Sequence, residues 1–321
     1  MSRARTISAT MIMTMLAGAA LAQQYPAKPV RVVVPFPPGA GADITARIFT
    51  PRLTEVFGQQ FVVDNRSGAA GHIGAEIAAH TPPDGYTLLF TPASIVISRS
   101  LYPKLTYDLV KDFDPITPVA SAPFVLVVHP SLPVHNVKEL IALAKSKPGA
   151  LLYASTGMGG TPHLATEIFR MRTSINIVHV PYKGTPAAVT DLMGGQVQLM
   201  FANTLSVLPL VKSGRLRALA IGSLKRSAAA PELPTIAESG VPGFEAITWF
   251  GMLAPASTPK EVISRLYAET HKILDQPATR EALASQGADP FSLTPDEFRA
   301  YLKSELAKWA KAVQATGVKP E

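Results

Sequence analysis

The chain has 321 residues and no cysteine, which excludes a disulfide framework, a thiol nucleophile, a thiolate metal site and a lipidated N-terminal cysteine. Its formal charge is +7, from 30 Lys and Arg against 23 Asp and Glu. The basic residues are scattered singly, with Lys225-Arg226 the densest pair; a nucleic-acid binder concentrates them on one element, so the excess reads as a solvated surface with a mild attraction for anionic solutes.

Arg3 and Arg5 precede a mostly apolar run from Ile7 to Leu21 and the triplet Ala20-Leu21-Ala22. That order predicts a secretory signal peptide over residues 1–22, cut after Ala22, and delivery to the periplasm. A membrane anchor is the weaker alternative, because Ser8, Thr10, Thr14 and Gly18 interrupt the run and it falls short of roughly 18 to 20 strongly apolar residues. The chain beyond Ala22 is long enough for two domains.

Short apolar, β-branched runs predict strands at Val30–Val34, Phe61–Val63, Thr87–Phe90, Phe124–Val128, Leu151–Tyr153, Ile177–Val180, Gln198–Phe201 and Leu216–Ile221. Several are apolar on both faces, as suits a parallel sheet covered by helices, and helical stretches alternate with them. The fold class is α/β. Four Thr-Pro pairs, at 161, 185, 258 and 294, predict helix starts with Thr as N-cap and Pro at N1; those at 258 and 294 add Glu at N3. Phe298, Leu302, Leu306, Trp309 and Val313 then recur at helical spacing up to Gly317, the pattern of a core-facing stripe. Two Pro-rich stretches, Pro115–Pro123 and Val241–Thr248, predict crossings between domains. Residues 23–123 with 247–321 then form a discontinuous first domain, and residues 124–246 an inserted second one.

Two strand-to-helix turns stand out. The first runs Val34-Pro35-Phe36-Pro37-Pro38-Gly39-Ala40-Gly41-Ala42-Asp43 and opens a helix with Phe49, Leu53, Val56 and Phe57 on its buried face and Gly58 at its end. Glycines let the backbone approach a ligand, and the uncapped amides of a first helical turn carry partial positive charge, so the turn predicts an anion site. It lacks the third glycine and the lysine of nucleotide-binding loops and fits a carboxylate better. The second turn, Ser155-Thr156-Gly157-Met158-Gly159-Gly160-Thr161, adds hydroxyls to its amides. The two loops on separate domains would face each other and couple closure to binding.

Other chemistry finds little support. His163 and Glu167 have helical ligand spacing, but no third ligand or His-Glu-x-x-His pattern accompanies them. Ser155 and His163 could form a nucleophile and base, yet no Gly-x-Ser-x-Gly elbow or orienting acid is evident. No metal or cofactor is expected, and the chain reads as a binding protein, not an enzyme.

Val34-Pro35-Phe36-Pro37-Pro38-Gly39 with Asp43 and Arg47, Asn65-Arg66-Ser67-Gly68 before Gly71-His72-Ile73-Gly74, Asp84-Gly85-Tyr86-Thr87-Leu88, His179-Val180-Pro181-Tyr182-Lys183-Gly184 and Trp249-Phe250-Gly251 together resemble the Bug family. These are extracytoplasmic receptors of tripartite tricarboxylate transporters, and the likeness runs from about Tyr25 to Gly317. The resemblance implies a type II periplasmic-binding fold, two α/β domains joined by two crossings, with a small carboxylate held in the cleft partly through ordered water. It implies ligand contacts from Phe36, Pro37, Gly39, Ala40, Gly41 and Asp43 in the first loop and from Ser155, Thr156, Gly157, Thr161 and His163 around the second. Thr91, Ser94, His179, Tyr182, Lys183, Ala202 and Asn203 complete the expected set, with Asp43 equally suited to capping its helix.

Three departures from the family pattern bear on the ligand. Ala42 removes a hydroxyl before the aspartate, Gly160 stands where serine is common, and Ala202 replaces an acid in Met200-Phe201-Ala202-Asn203. Loss of that acid disfavours an amino-acid ligand and leaves a di- or tricarboxylate or an aromatic carboxylate. Integral-membrane transporter subunits are the implied partners, and monomer is the default state. The alternatives are a receptor feeding a signalling sensor, a secreted serine hydrolase, and a regulator's effector domain, against which the export signal and missing helix-turn-helix argue.

Overall fold

The computed structural model describes residues 25–99, 101–102 and 105–318, so the expected signal peptide lies outside the described residues. In chain order the elements are β1 Val30–Val34, α1 Gly41–Phe57, β2 Phe61–Asn65, α2 His72–Ala79, β3 Thr87–Pro92, α3 Ser94–Arg99 and β4 Phe113–Val128. There follow α4 Val137–Ser146, β5 Leu152–Ser155, α5 Thr161–Thr173, β6 Val178–Pro181, α6 Thr185–Met193, β7 Leu199–Asn203, α7 Thr204–Lys212 and β8 Arg217–Ile221. The chain ends with β9 Ile247–Pro255, α8 Lys260–Asp275, α9 Pro277–Ser285, β10 Asp289–Pro290 and α10 Pro295–Thr316.

The strands join in the order β2-β1-β3-β9-β4-β7-β5-β6, with β8 and β10 also on β4. The outer strands of each half pair in parallel, β1 with β2 and β3, and β5 with β6 and β7. The centre is antiparallel. β4 pairs with β9 from Phe113↔Pro255 to Pro123↔Ile247, then with β7 from Phe124↔Asn203 to Val128↔Leu199. One 16-residue strand therefore runs through two α/β lobes.

That strand and β9 depart from the sequence reading. The sequence predicts residues 115–123 as a Pro-rich crossing and assigns them no strand. They are strand, and the prolines are absorbed by register shifts between Pro115 and Thr117 and between Pro118 and Ala120, where a missing N–H costs no ladder bond. β9 escapes the alternation rule because all but its first residue are buried.

Both faces of each half-sheet are covered, which is why the strands are apolar throughout. On β1, Val30, Val32 and Val34 pack with Phe49 and Leu53 of α1, while Val33 faces Ala75, Ala78 and Leu253. On β4, Phe124, Leu126 and Val128 meet Phe169, Phe201 and Phe244, whereas Val125 and Val127 meet Ala188, Leu192 and Met200. The stripe on α10 is buried at Phe298, Leu302, Trp309 and Val313, and its Thr294–Glu297 capping box is complete.

The other three Thr-Pro pairs do not cap as expected. The N-caps of α5 and α6 are Gly160, in extended backbone, and Gly184, at φ 116°, neither with a side-chain bond, so Thr161 and Thr185 become the first helical residues. At α8 the N-cap is Pro259, and the Thr258 hydroxyl donates to the Pro255 carbonyl at 2.7 Å. The displacement matters functionally, because the Thr161 and Thr185 hydroxyls are not consumed by their own helices.

Candidate functional site

A small cavity lies between the lobes. Phe36, Ala40, Gly41, Ala42, Pro92, Ser94, Thr248 and Phe250 line one side, and Phe124, Thr156, Thr161, Pro162, Thr185 and Asn203 the other. It sits where β1, β3, β5, β6 and β7 end and the following helices begin. The first turns of α1, α5 and α6 have no side-chain cap, so their leading amides lack partners within the helix. Each helix start contributes roughly half a positive charge. No Lys, Arg, His, Asp or Glu lines this cavity. Its field is set by dipoles, which favour an anion.

Two donors within it are unspent. The Thr161 hydroxyl is buried and has no hydrogen-bond partner among the described residues, a costly state unless a ligand or water completes it. Asn203 caps α7: its Oδ1 accepts from the Ser206 amide and hydroxyl, each at 3.1 Å. Those donors fix which way the amide group is turned, and they leave Nδ2 with no acceptor among the described residues. A Cβ at Gly41 would fall 2.9–3.0 Å from the Asn203 side-chain atoms. Glycine is thus needed at 41 for close approach of the two lobes, as well as for reach to a ligand.

Behind the first loop, Asp43 is 3% exposed and does not line the cavity. Its carboxylate accepts from the Gly39 amide at 2.9 Å, Arg47 Nε at 2.9 Å and Asn65 Nδ2 at 3.0 Å. Asn65 Nδ2 also donates to the Phe36 carbonyl at 2.9 Å. Burial raises the Asp43 carboxyl, but the bonds from Arg47, Gly39 and Asn65 and the Arg47 charge outweigh it and hold the group below its ordinary value. Asp43 positions the loop. Asn65, quoted above only within a motif, is its second anchor.

The second loop is held differently. Ser155 Oγ lies 2.6 Å from His179 Nε2 and accepts from the Gly157 amide at 3.2 Å. The Gly159 amide donates to His163 Nδ1 at 3.0 Å. The two imidazoles stack at 4.0 Å, and Tyr153 stacks on His179 at 4.8 Å. Tyr153 donates to Glu167 at 2.7 Å, and Glu167 pairs with Arg170 at 2.8 Å. Burial lowers both histidines, with His163 adding to the effect on His179, which falls to about 4. Both imidazoles are neutral near pH 7.

The Ser155–His163 pair of the hydrolase alternative is not formed. Ser155 meets His179 instead, is fully buried and lies off the cavity. Glu167, the acid of the cluster, is engaged by Tyr153 and Arg170. Among the described residues no group of three His, Cys, Asp or Glu could hold a metal, and no helix is long and apolar enough to cross a membrane.

A second, wider opening adjoins the first and shares Phe36 and Thr156 with it. Pro37, the Ser67–Gly71 segment, Gly157, Tyr182 and Lys183 line it. Tyr182 donates to Asp191 at 2.8 Å. Of the expected site residues, then, Phe36, Ala40, Gly41, Ser94, Thr156, Thr161 and Asn203 reach the inner cavity, and Pro37, Gly157, Tyr182 and Lys183 the outer one. Gly39, Asp43, Thr91, Ser155, His163, His179 and Ala202 line neither; Gly39 is an exposed residue of the turn, and the others lie behind the loops or in strands. Pro92, Phe124, Thr185, Thr248 and Phe250 were missed. Phe124 reads as strand core, Thr248 as a crossing and Thr185 as a cap; Pro92 lies just past an expected strand, and Phe250 stands within a quoted motif without a role.

Comparison with known proteins bears on what such a cleft binds. A model of the family described as tripartite tricarboxylate transporter family receptor matches residues 45–318. Protein BugT of Bordetella pertussis is 41% identical over 300 residues, covering 93% of this chain and 92% of BugT. Among solved structures, R. palustris Rpa4515 with adipate superposes with a TM-score of 0.90 at 38% identity, covering 92% of this chain and 100% of that one. MatC from Rhodopseudomonas palustris with bound malate gives 0.84 at 29% identity, covering 90% and 100%. The two-lobed α/β architecture is the type II periplasmic-binding fold expected from the sequence.

Proposed function

Because the chain belongs to the tripartite tricarboxylate transporter receptor family, we propose that it captures a small organic carboxylate between its lobes in the periplasm and delivers it, closed, to integral-membrane transporter subunits. The observation that carries this reading is the inner cavity, into which uncapped helix starts from both lobes converge without one charged side chain. The relatives solved with adipate and malate supply the carboxylate precedent.

In this reading the Gly41 and Ala42 amides of α1 receive one carboxylate oxygen, directly or through water, and the Thr161 hydroxyl and Asn203 Nδ2 receive the other. Donors from separate lobes then share one anion, so binding favours the closed arrangement by the difference in affinity between the two states. Lobe boundaries at 123/124 and 246/247 suit this reading, because β4 exchanges β9 for β7 at the first and β9 begins at the second. Phe36, Phe124 and Phe250 form the apolar walls. No Asp or Glu lines the inner cavity to hold an ammonium group, which favours simple organic acids over amino acids.

The test is ligand-induced thermal stabilisation across mono-, di- and tricarboxylates, aromatic acids and amino acids. At a hundred times Kd a ligand stabilises by about 2.7 kcal/mol, a plainly readable shift. A protein stabilised by no carboxylate at millimolar concentration is not this receptor.

A further inference from the structure

Helix α7 is shared between the lobes. Val207 and Leu208 pack with Val125, Val127 and Met200 in the lobe of β7, whereas Leu205, 1% exposed, packs with Ala46, Phe49 and Leu283 in the lobe of β1. Thr204, at the start of the helix, donates its buried hydroxyl to the Gly287 carbonyl of that same lobe at 2.7 Å. Asn203, just before it, caps the helix and lines the inner cavity.

Gly287 receives the helix start at close range. It follows α9 at φ 73°; its amide donates to the Ala284 carbonyl at 2.9 Å, and that of Ala288 to the Leu283 carbonyl at 3.0 Å. A Cβ at 287 would fall 2.6 Å from Leu208 Cδ1 and 2.8 Å from Thr204 Cβ, a separation that glycine alone permits. Beside this contact a crevice lies between residues 227–229 and residues 287–289.

Parting of the lobes has to draw α7 out of one core or the other. The helix follows β7 without a loop, Asn203 leading directly into Thr204, and Val207 and Leu208 add to that attachment. Thr204 and Leu205 are therefore the groups that leave. We infer that the first turn of α7 is a latch: seated on Gly287 and in the core beside α1 it holds the lobes together, and its strength sets how much of the unliganded protein is closed. Affinity follows, because a ligand that needs the closed state binds in proportion to the fraction already closed. The latch takes from the receptor reading above only that the lobes part.

Small-angle scattering of the unliganded protein, with calorimetric titration of adipate and malate, tests it in Thr204→Val and Gly287→Ala. Neither residue lines the inner cavity or the outer opening. Gly58→Ala is the control for backbone strain, since Gly58 has φ 67° and no atom within 4 Å of an added Cβ. Thr204→Val and Gly287→Ala should enlarge the radius of gyration of the unliganded protein, and Gly58→Ala should not. Thr204→Val, which loses one hydrogen bond, should weaken binding by up to about fivefold, by the same factor for each acid the wild type binds. Unliganded dimensions equal to wild type in both variants would show that α7 rides with the lobe of β1, and the latch would be refuted. Unequal losses for adipate and malate would also refute it, by placing Thr204 in contact with the ligand. If no carboxylate binds the wild type, the receptor reading fails, while the scattering comparison still decides the latch.

Discussion

The two glycine turns look alike in sequence and are stabilised by opposite means. The first is tied by charge: Asp43 gathers Gly39, Arg47 and Asn65, and Asn65 reaches on to the Phe36 carbonyl. The second is tied by neutral groups, a stack of Tyr153, His179 and His163 with Ser155 and the Gly159 amide bonded to its edges. In both, the ionisable residues are set behind the loop and only backbone, hydroxyl, amide and apolar groups face the cleft. A preorganised backbone can thus hold an anion without placing a competing charge beside it.

The comparison can be broken from the side of closure. Gly41→Val puts a branched side chain where Asn203 sits and should lower carboxylate affinity by about a hundredfold, roughly 2.7 kcal/mol. Scattering with saturating ligand should show the variant held open; ordinary affinity in calorimetry would remove the first turn from the site. Next, Asp43→Ala strands the donors of Gly39, Arg47 and Asn65 and should cost about 2 kcal/mol in urea unfolding. The equivalent cut in the second loop, Ser155→Ala, loses only neutral bonds and should cost about 1 kcal/mol. Equal costs would erase the contrast between the loops. Thr161→Val should weaken binding about tenfold while leaving the unliganded melting temperature unchanged, since its hydroxyl has no internal partner to lose.

The smallest effect is the most diagnostic, because it separates the loops by pH. His179 is pushed down to about 4 and His163 is also lowered, so the unfolded chain binds these protons first as pH falls. Their contribution is intact above about 6.5 and is lost as pH falls toward about 4. Asp43 is also lowered, so its contribution is intact above its ordinary carboxylate value and is lost only as pH falls below that range. Stability should therefore decline through the histidine window before the first loop responds. His179→Gln, which can still bond Ser155 but cannot ionise, should flatten that part of a pH series of unfolding midpoints. An unaltered slope would place the titrating groups elsewhere.

Much of this molecule is legible from residue order because its signals are local. Continuous apolar strands, Gly-rich turns into helices, and the Thr294–Glu297 box with the stripe on α10 each depend on neighbours a few positions away. The remainder depends on tertiary placement. Whether Ser155 faces a ligand or a histidine is decided by β6, brought alongside β5 from over twenty residues later. Phe124, Thr248 and Phe250 look like core because they are buried; their second role as cleft walls arises from lobes stacked end to end. The prolines of β4 mark a crossing locally, whereas the strand that carries it, with its bulges, belongs to the pairing with β9.

That shared strand has a mechanical consequence. Lobes tied by flexible tethers could part in any direction, but here a single ribbon is clamped into both sheets, and Phe124, where its partner changes from β9 to β7, also touches the cleft. In the receptor reading, opening would bend or twist the ribbon near that residue, as jaws on a leaf spring do. A solute pressing on Phe124 acts at the pivot itself, where a small displacement makes the largest difference at the rim.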